Sequence, residues 1–187
     1  MIMMREETVV ESLVDLLIGR GLITVEDADQ LRQDFASSAT SSFSAFLHEE
    51  DLLEPDDLLA VLSELYRCPS FDVIGHFFDH NLLVKFPKGF LLRKGIIPLT
   101  VDGNMLIVIA ANPKDPELLA EIGEHVSYDI RFHVGLRGDI CDAVKEFYDT
   151  ALTEVTEEGE PEEDEFEYET EDLDAFAHKP GGSQEED

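Results

Sequence analysis

The sequence predicts an α+β fold: an N-terminal helical subdomain of two helix-turn-helix repeats, then a small ββαβα unit, then a disordered acidic C-terminal tail. Three observations carry this. Between Gly89 and Tyr148, short apolar runs alternate with amphipathic helical patterns. Between Leu13 and Leu53, one pattern occurs twice at an offset of 30 residues. From Thr150 to Asp187 there are 16 Asp or Glu, and Lys179 is the only Lys or Arg. The expected division is 1–70 for the helical repeats, 71–88 for a packed connector, 89–149 for the α/β subdomain and 150–187 for the tail.

Glu6 to Ile18 reads as an amphipathic helix, because Val9, Val10, Leu13, Leu16 and Leu17 recur at helical spacing. Gly19-Arg20-Gly21 stops it. Thr24 with Asp27 makes a capping-box-like start for a second helix running to about Phe35. Ala36 to Ser42 is a polar connector. Phe43, Phe46 and Leu47 form a short helix ending near Glu50, and Pro55 to Arg67 a longer one with Leu58, Leu59, Leu62 and Leu65 inward. Leu13-x-x-x-Leu17-x-x-x-Gly21-Leu22-Ile23 matches Phe43-x-x-x-Leu47-x-x-x-Asp51-Leu52-Leu53. Neither unit can bury its apolar face alone, so the two are expected to pack together.

Phe71 to Lys88 is too apolar for a free linker and is expected to pack between the two parts. Ile96, Ile97, Leu99 and Val101 then form one β-prone run. Met105 to Ala110 forms a second, as apolar as a strand buried on both faces. Asp102-Gly103-Asn104 supplies a hairpin turn. Asp115 is a candidate N-cap with Pro116 at the first helical position, ahead of Leu118, Leu119 and Ile122 on one face. Asp129 to Val134 reads as a third strand. Arg137 to Tyr148 reads as a helix with Ile140, Ala143, Val144 and Phe147 inward. Beyond it, the acid-rich segment cannot bury enough surface to offset ordering and self-repulsion.

Composition narrows the function. No run approaches the roughly 20 apolar residues of a membrane span, and the first residues lack the pattern of a signal peptide. The two cysteines, Cys68 and Cys141, form no Cys-x-x-Cys, so free thiols in a cytoplasmic protein are the simpler expectation. A net charge of −30 opposes nucleic acids and anionic membranes, and half of it sits in the tail.

The helix–Gly-Leu-Ile-Thr–helix repeat, the connector and the segment Ile97-Pro-Leu … Asp102-Gly … Leu106 … Ala110 … Asn112-Pro-x-Asp-Pro together resemble one family. It is the N-terminal domain of the assembly ATPases of type II secretion and type IV pili, of the GspE or MshE type. The resemblance covers roughly residues 8 to 149. It implies a domain that contacts inner-membrane or regulatory partners, and in some members binds cyclic di-GMP. Two departures limit what it implies. The chain has no Gly-x4-Gly-Lys-Ser/Thr phosphate loop, so no ATPase motor is expected in it. The family's cyclic di-GMP motif, Arg-Leu-Gly-x-x-Leu-x-x-x-Gly in each repeat, is degenerate. Its positions hold Ser12, Leu13, Val14, Leu17 and Gly21 in one repeat, and Ser42, Phe43, Ser44, Leu47 and Asp51 in the other. Both arginines and both first glycines are missing, and an Asp facing a phosphate would repel it. Cyclic di-GMP binding is therefore not expected.

No Ser/His/Asp order or metal signature offers a catalytic starting point, and no catalytic, cofactor or metal residue is assigned. His76 and His80 could share a helical face but have no third ligand nearby. Cys141 reads as a core thiol. Arg93 and Lys94, with Lys85 and Lys88, form the densest basic cluster, either an ordinary solvated rim or a surface for acids. Phe166, Tyr168, Leu173 and Phe176 stand among the tail acids. They fit either a solubilising tail or a docking motif whose aromatics anchor while the acids steer. The expected function is that of a non-catalytic adaptor or regulator with a protein partner, either a secretion or pilus component or a signalling protein. The alternative is a nucleotide second-messenger sensor with a degenerate motif.

Overall fold

The computed structural model describes residues 3–40 and 42–157, with side chains described from residue 7 to residue 150. In chain order the elements are α1 (Met3–Gly19), α2 (Val25–Ser37), α3 (Phe43–Glu49), α4 (Pro55–Tyr66), α5 (His80–Leu83), α6 (Lys88–Lys94), β1 (Ile96–Asp102), β2 (Met105–Ala110), α7 (Leu118–Gly123), β3 (Asp129–Val134) and α8 (Arg137–Glu157). The expected α+β class is observed.

The repeats pack as one helical core. Leu13, Val14 and Leu17 of α1 share a buried cluster with Phe43, Phe46 and Leu47 of α3 and with Leu58, Val61 and Leu62 of α4. Burial of this kind stabilises by roughly 1.5–3 kcal/mol per large side chain. The capping box forms as read: Asp27 N–H donates to Thr24 Oγ1 (3.1 Å) and Thr24 N–H to Asp27 Oδ2 (2.9 Å). The Thr24 hydroxyl, donating to Asp27 Oδ2 (2.7 Å), and secondarily the Thr24 N–H hold the Asp27 carboxyl below its ordinary range. The second helix runs two residues past Phe35, to Ser37, so the polar connector is shorter than expected.

The sheet has the order β1-β2-β3. β1 pairs antiparallel with β2 from Ile96↔Ala110 to Asp102↔Met105, and the hairpin closes through the two residues Gly103 and Asn104. β2 pairs parallel with β3 from Met105↔Asp129 to Ala110↔Val134, with α7 in the crossover. The second core joins Ile96, Ile97, Leu106, Val108 and Ile109 to Ile140 and Val144 of α8.

The connector belongs to that core. Val73, Leu82, Leu83 and Phe86 are buried in it, and the Tyr148 hydroxyl of α8 donates to the Phe86 carbonyl (2.5 Å). The two parts meet at Val134 and Leu136, which are buried in the helical core although they belong to the end of β3 and the approach to α8. Ser70 adds a parallel bridge to Val134, with Phe71 N–H donating to the Val134 carbonyl (2.9 Å).

Three further boundaries differ from the sequence reading. Lys88–Lys94 is a helix that the reading left inside the basic cluster. Pro87 opens it and Gly95, at φ 62°, closes it in the left-handed region that favours glycine. The helix after Asn112 starts at Leu118, because Asp115 is used two residues earlier: its Oδ1 accepts from Glu117 N–H (3.0 Å) and shapes a turn. Helix α8 runs past Tyr148 to Glu157, since no Gly or Pro interrupts the chain before Gly159.

Candidate functional site

The degenerate motif positions are largely packing positions. Leu13, Val14, Leu17, Phe43 and Leu47 are buried in the helical core. Val14, the position that the sequence reading set against the motif's first glycine, is fully buried. Ser12 Oγ donates to the Thr8 carbonyl one turn back (2.8 Å). Ser42 caps α3, its Oγ accepting from Ala45 N–H (3.4 Å) and lying 3.0 Å from Ser44 Oγ. Phe43 is locked edge-on to Phe35, with ring centroids 5.2 Å apart. Gly21 and Asp51 end their helices, both at positive φ.

Around the second repeat is a small hollow of about 230 Å³, lined among others by Leu13, Ser42, Phe43, Ser44, Tyr66 and Arg137. Arg137 had no role in the sequence reading beyond opening α8. Its guanidinium donates to the Leu92 carbonyl (3.3 Å) and the Arg93 carbonyl (3.1 Å). A cation thus reinforces the C-terminal carbonyls of α6, where the Leu92 carbonyl also accepts from Gly95 N–H (3.3 Å). Gly95 makes the room: a Cβ there would stand 2.6 Å from Arg137 Nη1. Neither the hollow nor this contact was visible in sequence, because Arg137 and Leu92 lie 45 residues apart.

Two of the four residues of the basic cluster, Lys88 and Lys94, are spent on the chain's own acids. Lys94 is only 14% exposed and sits 2.8 Å from Glu121 and 3.4 Å from Asp115. The Glu121 contact is the main reason its ammonium is pushed above its ordinary range. Lys88 pairs with Asp149 (3.0 Å). Arg93 lies against the Phe90 ring (5.8 Å to the centroid) and remains exposed. Of the two folded candidates, Arg93 is the accessible cation, and Lys94 is held in the fold. Phe166, Tyr168, Leu173 and Phe176 lie outside the described residues.

His76 and His80 do not share a helical face, because α5 begins only at His80. His76 stacks edgewise on Phe71 and Phe78 (centroids 5.2 and 4.8 Å), and His80 leans on Phe147 (5.3 Å). Cys141 is half-buried, and burial pushes its thiol up, so it is no ready thiolate.

The larger opening lies elsewhere. The loop from Val73 to Phe78 faces α8 across a groove of about 650 Å³. The loop is anchored by buried Val73 and by an Asx turn in which Ile74 N–H donates to Asp72 Oδ1 (2.9 Å). It presents Ile74 at 67% and Phe77 at 96% exposure. A fully solvated phenylalanine on an anchored loop is the most conspicuous apolar feature among the described residues.

The groove lies within the stretch that resembles a known family. Residues 66–154 match the family described as the MshEN domain. The match covers just under half of the chain. The matched stretch starts at the end of α4 and takes in the connector, the groove, the sheet and most of α8. Two solved structures have the same fold over a longer stretch. One, of MshE with cdg, has a TM-score of 0.58 at 18% identity, covering 73% of this chain and 98% of that one. The other, of the N-terminal domain of XpsE, has a TM-score of 0.56 at 19% identity, covering 73% and 94%. Their coverage exceeds the MshEN residues, so the likeness reaches into the helical repeats. The kinship read from the sequence, with the N-terminal domains of GspE- and MshE-type ATPases, is borne out. No curated protein matches the chain. Among the described residues, no helix is long and apolar enough to cross a membrane.

Proposed function

We propose that this chain is a non-catalytic adaptor or regulatory module that acts in the cytoplasm through protein–protein contacts, with a component of a secretion or pilus machinery or a signalling protein as its partner. The observation that carries this reading is Phe77, exposed at the mouth of the groove while the residues on either side of its loop are tied down. Interfaces draw most of their energy from a few such aromatic or apolar anchors. The expectation is that Phe77→Ser leaves the fold intact and sharply reduces recovery of the native partner in pull-downs from the source cell. Equal recovery by the wild type and the variant overturns the reading at this surface.

The second reading, a cyclic dinucleotide sensor, draws on the hollow that brings Arg137 beside Ser42 and Ser44, and on the MshE structure, which is with cdg. Against it stand the buried motif positions and the committed Arg137 guanidinium. Micromolar affinity needs roughly 8 kcal/mol, and leucines and serines supply little of what a phosphate requires. Calorimetric titration with cyclic di-GMP is expected to show no micromolar binding. A micromolar isotherm weakened by Arg137→Lys replaces the adaptor reading with the sensor.

A further inference from the structure

The groove between the Val73–Phe78 loop and α8 has a chemical character that narrows what fits it. Its α8 wall carries Asp139, Asp142 and Glu146. Their spacing of three and then four residues puts them in one stripe along the helix. Ala143 and Phe147 lie beside that stripe, and Phe78 faces them from the loop. No Lys or Arg lines the groove among the described residues. Burial, with smaller repulsions from Asp72 and Asp142, pushes the Asp139 carboxyl above its ordinary range despite the nearby His48. Asp142 pairs along the helix with Lys145 (2.9 Å) and Asp139 faces His48 (3.6 Å), yet acids line this wall and, among the described residues, no Lys or Arg does, so the groove attracts an incoming cation.

We propose that this groove is the docking site for a cationic amphipathic segment of a partner protein, with Phe77 and Ile74 gripping its apolar face and the α8 acids facing its Lys or Arg side chains. The proposal rests on the adaptor reading and names the chemistry of the partner. Charge decides between the occupants. The chain's own segment beyond Glu157 is overwhelmingly acidic, and a second copy brings a net charge of −30, so both are repelled from an acid-rimmed groove. Nucleic acid and anionic lipid are excluded on the same ground. A basic segment is attracted by the whole molecule at long range and held by apolar contact at short range.

The test uses the full chain in 0.15 M salt and fluorescence anisotropy with three labelled peptides of equal length. The first is a Leu/Lys peptide with its leucines on one helical face. The second is the same composition scrambled to destroy that face, and the third is the Leu/Glu counterpart. The expected result is binding of the first peptide at least tenfold tighter than of the other two. Affinity should fall about tenfold in Ile74→Ser/Phe77→Ser, and again in Asp142→Asn/Glu146→Gln. All four positions are exposed or line the open groove, and circular dichroism checks that each variant folds. If the scrambled peptide binds as tightly, or the variants bind as the wild type does, the attraction is diffuse charge and the proposal is overturned. If Phe77→Ser abolishes capture of the native partner while the Leu/Lys peptide neither binds nor competes, the adaptor reading stands and the cationic occupant is wrong.

Discussion

Gly21 and Asp51 stand at the same point of the two repeats and adopt the same backbone conformation, with φ of 71° and 51°. The residue after each closes its helix identically: Leu22 N–H donates to the Leu17 carbonyl and Leu52 N–H to the Leu47 carbonyl, each at 3.0 Å. The second repeat makes the same cap without the glycine that suits it. Asp51→Gly is therefore expected to stabilise the protein by about 0.5–1 kcal/mol, read from urea unfolding. Gly21→Ala should destabilise it by about 1 kcal/mol through backbone strain alone, since no atom lies within 4 Å of the added methyl.

Gly95 and Arg137 form a tighter pair. Gly95→Ala combines a left-handed backbone with a Cβ 2.6 Å from the Arg137 guanidinium. Arg137 must then leave the two carbonyls at the end of α6. We expect a loss of about 2–3 kcal/mol in denaturant unfolding, more than the Gly21 substitution because the displaced guanidinium's hydrogen bonds are lost on top of the strain.

His133 gives a pH dependence with a definite sign. Burial, and secondarily Arg131, push its imidazole below the ordinary value of 6.5, and its buried Nδ1 has no hydrogen-bond partner. In the folded chain it resists protonation, whereas in the unfolded chain it takes up a proton near that ordinary value. Its contribution to stability is complete above pH 6.5 and is lost as the pH falls from there toward the lower folded value. Urea midpoints measured between pH 8 and pH 5 should fall more steeply for the wild type than for His133→Gln.

The tail is tested by cutting after Glu157, where the described helix ends. Removing 158–187 should leave the unfolding transition in place. If Phe166, Tyr168, Leu173 and Phe176 anchor a partner, replacing all four with Ser should weaken capture nearly as much as the truncation. Salt should then slow association more than it hastens dissociation, because the Debye length falls to about 3 Å at 1 M. Equal affinity with and without the segment assigns it to solubility.

The strands were legible because their apolar runs are bounded by turn residues: β2 and β3 span the residues read from sequence, Met105–Ala110 and Asp129–Val134. The Thr24–Asp27 box was legible for the same reason, being wholly local. Helix α6 escaped because seven residues are too few to show a period. Pro87 and Gly95, one at each end, were the signal available. The groove escaped for a different cause. The stripe of Asp139, Asp142 and Glu146 can be counted off the chain, but the loop that faces it is brought there by folding, more than 60 residues away in sequence. Exposure of Phe77 is likewise a tertiary fact, since Phe78 beside it is half-buried.

Val134 and Leu136, lodged among the leucines of α1, α3 and α4, make the two cores share a wall. Melting the helical repeats would strip the end of β3, and fraying β3 would open a hole in the repeats. The cooperative unit is then the whole described chain, with one calorimetric transition in place of two. An excised fragment starting at Tyr66, where the MshEN residues begin, would present Val134 and Leu136 to water and tend to self-associate through them.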